Sequence, residues 1–306
     1  MALDFQLLDQ PLFARNQLAR APELRSDPDA LAAGWSSSLV LLIDRHGRFP
    51  TDRGPEGLRM LLEPGVDIAR TPPVRGMFLG VEHRGRHVWA LPVEDLPKSM
   101  RASDLRGVGP KLSDSDAALA AEALSLFNWH RDLAPGADPA HHMRTSDAGW
   151  TGHNAVSGGV EFPRTDPAVI CLVHDGGRQM LLGRNAGWPN NFYSVQAGFV
   201  EAGESLENCV QRELMEETGL NVDRIRYLGS QPWPFPRSLM LGFHALGDPS
   251  GPVRPDGQEL VDAGWYDVDE VRASLTGRGS IMLPSSVSIA RIMIESWVAA
   301  VDATSL

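Results

Sequence analysis

The sequence of 306 residues is poor in cysteine and contains no long apolar run. Its only cysteines, Cys171 and Cys209, have apolar neighbours, so we expect two small buried side chains with free thiols. Free thiols are typical of a reducing compartment, and we expect the cytoplasm. No stretch approaches the roughly 18 apolar residues of a membrane-spanning helix. The first residues also lack the basic and apolar regions of a secretory signal.

The sequence also has no excess of positive charge. The formal net charge is −11, which argues against non-specific binding to nucleic acid or to an anionic membrane. Any nucleotide must therefore bind at a local site, where a metal ion and a few arginines neutralise its phosphates.

The length predicts more than one domain. Residues 1–127 contain apolar strand patterns at Ser38–Asp44 and within Met77–Val93, followed by a helical pattern capped by Ser113 or Ser115, which predicts an α+β domain. We expect this domain to have a structural or dimerising role.

A second segment, residues 128–162, is rich in Gly, Ala, Pro, Asp and His and has no persistent periodicity. It predicts a linker or a small irregular module. His141, His142 and His153 lie here and suggest a metal site, but no cysteine accompanies them. Exposed loop histidines are the better interpretation, and we expect no structural zinc.

The last segment, residues 163–306, alternates strand and helix patterns, which predicts an α/β/α sandwich with a mixed sheet. The fold class is therefore α/β, with an α+β domain at the N-terminus. The predicted strands are Ala168–His174, Gln179–Gly183, Phe192–Gln196, Arg224–Leu228, Leu239–Ala245 and Ala263–Tyr266. The predicted helices are the acidic one described below, Val268–Leu275, and a last one that begins after Pro284, capped by Ser285 or Ser286.

The acidic helix lies in the stretch Gly198–Leu220, GFVEAGESLENCVQRELMEETGL. Gly203 allows a tight turn, Ser205 is a suitable N-cap, and Gly219 is a natural residue after the last turn. The helix therefore has a predicted start and a predicted end.

Three carboxylates on this helix, Glu213, Glu216 and Glu217, fall within an arc of about 100° that continues the apolar stripe of its first turns. A run of acids is usually a solvated face, but here the acids continue the side that should face the protein. Converging carboxylates repel one another unless a cation neutralises them, and oxygen ligands suit Mg²⁺ or Mn²⁺. Arg212 can orient one of them by a forked hydrogen bond.

A second distinctive stretch is Ser230–Ser238, SQPWPFPRS. Its three prolines stiffen the backbone, so Trp233 and Phe235 are held in place. The stretch is either a rigid loop packed on the core or a wall on which bases stack. Its position one strand after the acidic helix favours the wall.

The acidic stretch matches the pattern G-x5-E-x7-R-E-U-x-E-E-x-G-U, with U apolar, at every position and therefore resembles the Nudix box. SQPWPFPRS, together with NWH at Asn128–His130 and FPRTDPAVI at Phe162–Ile170, resembles the NADH pyrophosphatase (NudC) branch of that superfamily. The resemblance implies a dimeric hydrolase that splits NAD(H) into nicotinamide mononucleotide and AMP. Some members also remove NAD caps from RNA 5′ ends.

The resemblance also implies roles for matching positions. Glu213, Glu216 and Glu217 are the expected catalytic residues. The expected ligands of two or more Mg²⁺ or Mn²⁺ ions are Glu213, Glu216, Glu217, Glu259 and the Ala197 carbonyl. The expected substrate-binding residues are Phe162, Phe199, Gln231, Pro232, Trp233, Pro234, Phe235, Pro236, Arg237, Ser238 and Ala290.

The chain departs from the family in two places. Relatives commonly carry two CxxC pairs between NWH and FPR, and all four cysteines are absent here, so we expect no structural zinc. Arg237 stands where Gln is most familiar, which adds a positive charge near the substrate.

Two other functions remain open at this point. One is a broader hydrolase of ADP-ribose, FAD or CoA, against which the aromatic loop argues. The other is a non-catalytic NAD-sensing module, against which the complete set of carboxylates argues. The group that activates water is also open, between a metal-bound hydroxide and Glu216.

Overall fold

The computed structural model of the chain describes residues 3–55, 57–133, 143–154 and 156–304. Its contacts divide the chain into two units. The C-terminal unit comprises Met1–Ala14, Asp166–Gln231 and Ser238–Leu306, and the N-terminal unit comprises Arg15–Thr165 and Pro232–Arg237. The predicted domain boundaries at residues 127 and 162 stay predictions.

The N-terminal unit combines three small sheets with one long helix. Its strands are β1 (Leu39–Ile43), β2 (Phe49–Gly54), β3 (Gly57–Met60), β4 (Glu63–Pro64), β5 (Met77–Val81), β6 (His87–Pro92), β7 (Arg101–Ser103), β8 (Met143–Ser146), β9 (Thr151–Asn154) and β10 (Val160–Glu161). Its helices are α1 (Pro28–Trp35), α2 (Gly65–Ile68), α3 (Leu105–Val108) and α4 (Asp114–Asp132). The sheet orders are β4-β1-β6-β5, β3-β2-β7 and β10-β9-β8. The predicted α+β composition is confirmed.

The core of this unit forms where apolar strand residues meet α1. The rings of Trp35 and Trp89 pack edge to face at 5.5 Å, with Phe78 beside Trp89. The long helix α4 begins where the sequence predicts, because the Ser113 hydroxyl accepts a hydrogen bond from the Asp116 N–H (3.1 Å).

The C-terminal unit is a mixed sheet between helices. Its strands are β11 (Asp166–His174), β12 (Gln179–Asn185), β13 (Gln196–Phe199), β14 (Val222–Trp233), β15 (Ser238–Gly247) and β16 (Leu260–Asp267). Its helices are α5 (Leu206–Thr218), α6 (Val268–Leu275) and α7 (Ile289–Thr304). The sheet order is β14-β15-β11-β12-β16, with β13 paired to β11. β11 runs parallel to β15, and β12 runs antiparallel to β16.

Alternation along β11 places one core on each side of the sheet. Ile170 and Leu172 join the core of α6 and α7 around Trp297. Val169 and Cys171 join the core of α5 on the opposite face. The strand period of two requires this division, and the predicted α/β/α sandwich is confirmed.

Several element boundaries differ from the prediction. β14 runs over Val222–Trp233 rather than Arg224–Leu228, so the stretch SQPWPFPRS is a loop only between Trp233 and Ser238. The strand predicted over Phe192–Gln196 begins only at Gln196 and continues to Phe199. The last helix begins at Ile289, so the prediction of Ser285 or Ser286 as its cap was wrong. The reason is that the Gln231 side chain accepts from the Ile289 N–H (2.6 Å), which fixes the start of α7 further along the chain.

The described residues contain no helix that has both the length and the apolar character needed to cross a membrane.

Candidate active site

Helix α5 has the ends that its sequence predicts. The Ser205 hydroxyl accepts from the Asn208 N–H (3.2 Å), and Gly219 ends the helix in the left-handed region with φ of 70°. Cys209, Val210 and Leu214 are buried against the sheet. This packing fixes the rotation of α5 about its axis, and therefore the direction of its carboxylates.

The three carboxylates at the C-terminal end of α5 differ in exposure. Glu217 is buried, with 8% of its surface exposed. Glu213 is nearly buried, with 13% of its side chain exposed, whereas Glu216 is 60% exposed. The stripe predicted from the sequence thus turns inward at Glu213 and Glu217 and reaches solvent at Glu216.

Arg212 organises the acids around it. Its Nε and Nη2 donate to the two oxygens of Glu204 at 2.8 and 2.9 Å, which is a forked pair. Its Nη1 donates to Glu213 (2.9 Å) and to Glu216 (3.0 Å). Hydrogen bonding to Arg212 lowers the pKa of Glu204 to about 2. Glu204 is therefore a permanent anion that orients the guanidinium.

A glycine allows β13 to approach α5 closely. Gly198 lies opposite Val169 of β11, and a Cβ at this position would come within 1.8 Å of the Glu213 carboxyl carbon. Any larger residue would therefore push the Glu213 carboxylate away from its position beside Arg212.

Charge accumulates around Glu217. Burial is the largest cause that raises its pKa to about 8, and the charges of Glu213, Glu259, Asp256 and Glu216 raise it further. Burial also raises the pKa of Glu213, against the opposing effect of Arg212. Glu259 lies just before β16, and its N–H donates to the Asp256 carboxylate (3.2 Å). Several carboxylates thus share one electrostatic environment that favours a cation.

The donor set fits a hard divalent cation. Within the described ranges, no three His, Cys, Asp or Glu side chains already form a set of ligands for a metal ion, and Arg212 holds one oxygen each of Glu213 and Glu216. Mg²⁺ does not need such a cage, because it usually binds through one or two carboxylates, several waters and the substrate phosphates. The cluster around Glu217 offers only oxygen donors and excess negative charge. Ala197 precedes Gly198 on β13, where its backbone pairs with Ile170.

The aromatic loop, defined here as Pro232–Arg237, comprises the last two residues of β14 and the turn before β15, and it belongs to the N-terminal unit. The Trp233 and Phe235 rings pack edge to face at 5.0 Å. The Arg106 guanidinium lies 4.4 Å from the centre of the Phe235 ring and 5.7 Å from that of Trp233. From α4, the Asn128 amide donates to the carbonyls of Pro234 (3.0 Å) and Pro236 (2.7 Å), and Asp132 pairs with Arg237. The loop is therefore held in place by α3 and α4.

Some of the remaining candidate residues are buried or form hydrogen bonds within the protein, whereas others are exposed. The fully buried Gln231 amide donates to the Val287 carbonyl (2.7 Å) and accepts from the Ile289 N–H. The Ala290 N–H donates to the Ser288 hydroxyl (3.2 Å), and Ser238 is buried at the start of β15. In contrast, Phe162 and Phe199 are 68% and 59% exposed. Gln231 thus has a structural task in addition to any contact with substrate.

Of the three histidines that suggested a metal site in the sequence, one lies within the described residues. His153 is an exposed residue of β9. His141 and His142 lie outside the described residues.

Three residues of these sites had no assigned role in the sequence analysis. Asp256 contributes to the charge around Glu217, and Arg106 and Asn128 hold the aromatic loop. Asn128 carried a signal, since it opens the NWH motif. Asp256 lies in a turn and Arg106 in a short helix, and neither has a pattern that could reveal its role.

Comparison with known proteins agrees with this geometry. A family model described as "NUDIX domain" matches residues 164–284, and one described as "NADH pyrophosphatase-like rudimentary NUDIX domain" matches residues 11–129. The protein named "NAD-capped RNA hydrolase NudC" of Mycobacterium bovis is 46% identical over 309 residues, which cover 97% of each chain. The chain belongs to the NudC family of Nudix hydrolases.

Other relatives extend the comparison. The NudC protein of Mycobacterium tuberculosis is 45% identical over 309 residues, again with 97% of each chain covered. A crystal structure of a MutT/nudix family protein from Enterococcus faecalis is 22% identical and covers 46% of this chain and 64% of its own, with a TM-score of 0.36. The predicted family and enzyme class are confirmed. The match to the rudimentary Nudix domain therefore precedes the match to the domain that carries α5.

Proposed function

We propose that this NudC-family chain hydrolyses the pyrophosphate of NAD(H) to nicotinamide mononucleotide and AMP, and removes NAD caps from RNA 5′ ends. The observation that carries the proposal is the cluster of carboxylates around the buried Glu217, organised by Arg212 on the helix that matches the Nudix box. The names of both mycobacterial relatives, "NAD-capped RNA hydrolase NudC", support the same substrate class.

The carboxylates of α5 would hold the metal ions. We assign Glu213, Glu216 and Glu217 to this role, with Glu259 and the Ala197 carbonyl as further donors. Bound Mg²⁺ or Mn²⁺ supplies Lewis acidity, which lowers the pKa of attacking water and stabilises charge on phosphate oxygens. Arg212 keeps Glu213 and Glu216 oriented, and Glu204 keeps Arg212 in place.

The reaction adds the oxygen of water to one phosphorus and breaks the bond from that phosphorus to the bridging oxygen. Both products are therefore monophosphates. Glu216 is the most exposed of the three carboxylates assigned to the metal site, and it is our candidate for the proton acceptor.

The aromatic loop is our candidate for nucleotide recognition. Its prolines, Pro232, Pro234 and Pro236, restrict the backbone, and Asn128 and Arg106 fix the positions of Trp233 and Phe235. A base stacked on these rings would gain about 1–3 kcal/mol per ring. Phe162, Phe199, Gln231, Arg237, Ser238 and Ala290 complete the proposed substrate contacts.

The resemblance to the family supports three finer proposals. Two or more Mg²⁺ or Mn²⁺ ions act at each site, the chain forms a homodimer, and it works in the cytoplasm. The two free thiols, both buried, agree with a reducing compartment.

The direct test is product analysis with purified protein, Mg²⁺ and NADH, NAD⁺ or NAD-capped RNA. We expect equal amounts of AMP and nicotinamide mononucleotide from NAD⁺, equal amounts of AMP and reduced nicotinamide mononucleotide from NADH, and 5′-monophosphate RNA from the capped RNA. Faster cleavage of ADP-ribose, FAD or CoA than of NADH would favour the broader hydrolase. Binding of NAD without turnover would favour the sensing module.

A further inference from the structure

The N-terminal unit carries a groove whose charged lining residues, among those that the structure describes, are all basic. The groove has a volume of about 490 Å³, and its lining includes Arg53, Arg101 and Lys111. Pro55, Leu58 and Val108 supply apolar surface between them. The described lining therefore combines three cationic side chains with apolar surface.

The sheet brings the two arginines to one side. Arg101 of β7 stands opposite Thr51 of β2, and Arg53 lies two residues further along β2. Side chains two apart on a strand share a face, and diagonal neighbours of this kind are about 7–8 Å apart. Lys111 reaches the same groove from the 3-10 turn that follows α3.

None of these three side chains forms a hydrogen bond or an ion pair within the described residues. Two carboxylates that neighbour these residues in the described part of the sequence have partners of their own. Asp52 pairs with Arg59 (3.2 Å), and Asp104 accepts from the Arg106 and Gly107 N–H groups at the start of α3. Three exposed cations that share a groove repel one another, and an anion in the groove would remove that cost.

The groove is connected to the aromatic loop through one short segment of chain. Arg106 contacts the Phe235 and Trp233 rings, while Val108 and Lys111, two and five residues further on, line the groove. At the rise of about 1.5–2 Å per residue of helical turns, these residues lie within about 10 Å of one another along the segment. A chain that leaves the aromatic rings can therefore follow α3 into the groove.

We propose that this groove binds the phosphate backbone of the RNA strand that follows the NAD cap; this inference rests on the function proposed above. The ligand must be a polyanion, because three separated cations face it. It must be single-stranded and flexible to follow α3 closely, and the apolar floor accepts ribose and base without a sequence-specific contact. Free NAD(H) has no such strand, so the groove separates the two substrates.

The test compares two triple variants of the full chain. The groove variant combines Arg53→Ser, Arg101→Ser and Lys111→Ser. The control variant combines Arg70→Ser, Arg84→Ser and Lys98→Ser, which removes the same charge from exposed positions of the same unit that do not line the groove. kcat/KM is measured for NADH and for an NAD-capped RNA of about 20 nucleotides at several salt concentrations, and the Kd of the same RNA without its cap is measured by fluorescence anisotropy.

We expect the groove variant to lose about 10-fold or more in kcat/KM for the capped RNA, with NADH cleavage within about twofold of wild type. The dependence of log Kd on log salt should become shallower by about 2, since each phosphate contact on a single strand contributes about 0.7. The control variant should change neither.

Equal cleavage of capped RNA by both variants, with an unchanged Kd for uncapped RNA, would overturn the proposal, and an acidic protein segment would then be the better occupant. The measurement of Kd for uncapped RNA does not depend on catalytic turnover. If wild type cleaves neither substrate, the proposed function fails, while the effect of the groove on RNA binding is still measured.

Discussion

Gly198 of β13 lies so close to Glu213, a proposed catalytic residue, that the strand and this carboxylate constrain each other's position. A Cβ there would overlap the Glu213 carboxyl group. The obstacle is the end of a flexible side chain rather than backbone, so the protein can relieve the clash by moving Glu213. The cost therefore falls on function more than on folding.

We predict that Gly198→Ala lowers kcat for NADH by about 100-fold or more, because it displaces one candidate metal ligand and its hydrogen bond to Arg212. The melting temperature should fall by only a few degrees. Gly264→Ala on β16 is the matched control, since a Cβ there meets its nearest heavy atom only at 4.0 Å. Equal activity of the two variants would show that the position of Glu213 does not matter.

A single substitution at Trp233 can show whether the aromatic loop binds the nucleotide. We predict that Trp233→Ala lowers kcat/KM for NADH by roughly 10- to 100-fold, because one stacking surface is lost while the carboxylates of α5 remain. A pyrophosphate substrate that lacks the second nucleoside should be affected much less. The measurement is the ratio of the two losses below the unfolding temperature of the variant. A ratio near one would mean that Trp233 serves only packing.

At the scale of elements, α4 carries a buried acid that links it to the preceding chain. Glu122 is 8% exposed and bonds to Asn16 and Arg20. Burial raises its pKa from 4.5 to about 7, although Arg20 and Asn16 act in the opposite direction. A carboxyl group with a raised pKa holds its proton more tightly in the folded state. Its contribution to stability is therefore complete below about pH 4.5 and is lost as pH rises through about 7.

We predict that the wild-type protein loses on the order of 3 kcal/mol of unfolding free energy from Glu122 between about pH 4.5 and pH 8. Glu122→Gln, which resembles the protonated acid, should remove most of this dependence and make the protein more stable than wild type near pH 8. Urea unfolding at several pH values measures both quantities. Glu161→Gln in the exposed strand β10 is the control, and parallel pH curves for wild type and Glu122→Gln would contradict the prediction.

Elements with a local signal were predictable from the sequence. Helix α5 has its cap, its apolar stripe and its terminal glycine in order, and α6 has the predicted bounds. The start of α7 was predicted too early: the Ser288 hydroxyl, directly before the helix, accepts from the Ala290 N–H, and a contact remote in sequence acts at the same point. The remote contact is that of Gln231, whose side chain accepts from the Ile289 N–H from 58 residues away.

The residues of the candidate site also divide into those with a local signal in the sequence and those brought together only by the fold. The Glu213, Glu216 and Glu217 cluster is visible in the sequence because one helix carries it. Asp256 was missed because only the tertiary fold brings it near Glu217. The N-terminal residues Asp4 and Phe5 also join the C-terminal unit, where Asp4 bonds to His244 (3.0 Å) and Phe5 stacks on the same ring. No local pattern reveals such a contact.

At the scale of the whole molecule, charge is divided between the two units. The excess of Asp and Glu over Lys and Arg lies in the C-terminal unit, whereas the N-terminal unit is close to balanced and holds both lysines. This distribution suits an enzyme that binds metal ions on one unit and contacts a polyanion with the other.

The central claim is that α5 supports metal-dependent hydrolysis of a dinucleotide. The most direct measurement is the rate of AMP release from NADH by wild type and by Glu217→Gln, with Mg²⁺ or Mn²⁺ at saturation and after chelation. We predict AMP and reduced nicotinamide mononucleotide in equal amounts from wild type, no release after chelation, and recovery when metal is restored. Glu217→Gln should retain the wild-type melting temperature and be slower by about 10³-fold or more, since loss of a charged ligand removes several kcal/mol of transition-state stabilisation. A variant rate within about tenfold of wild type at saturating Mn²⁺, or wild-type activity that survives chelation, would contradict the claim.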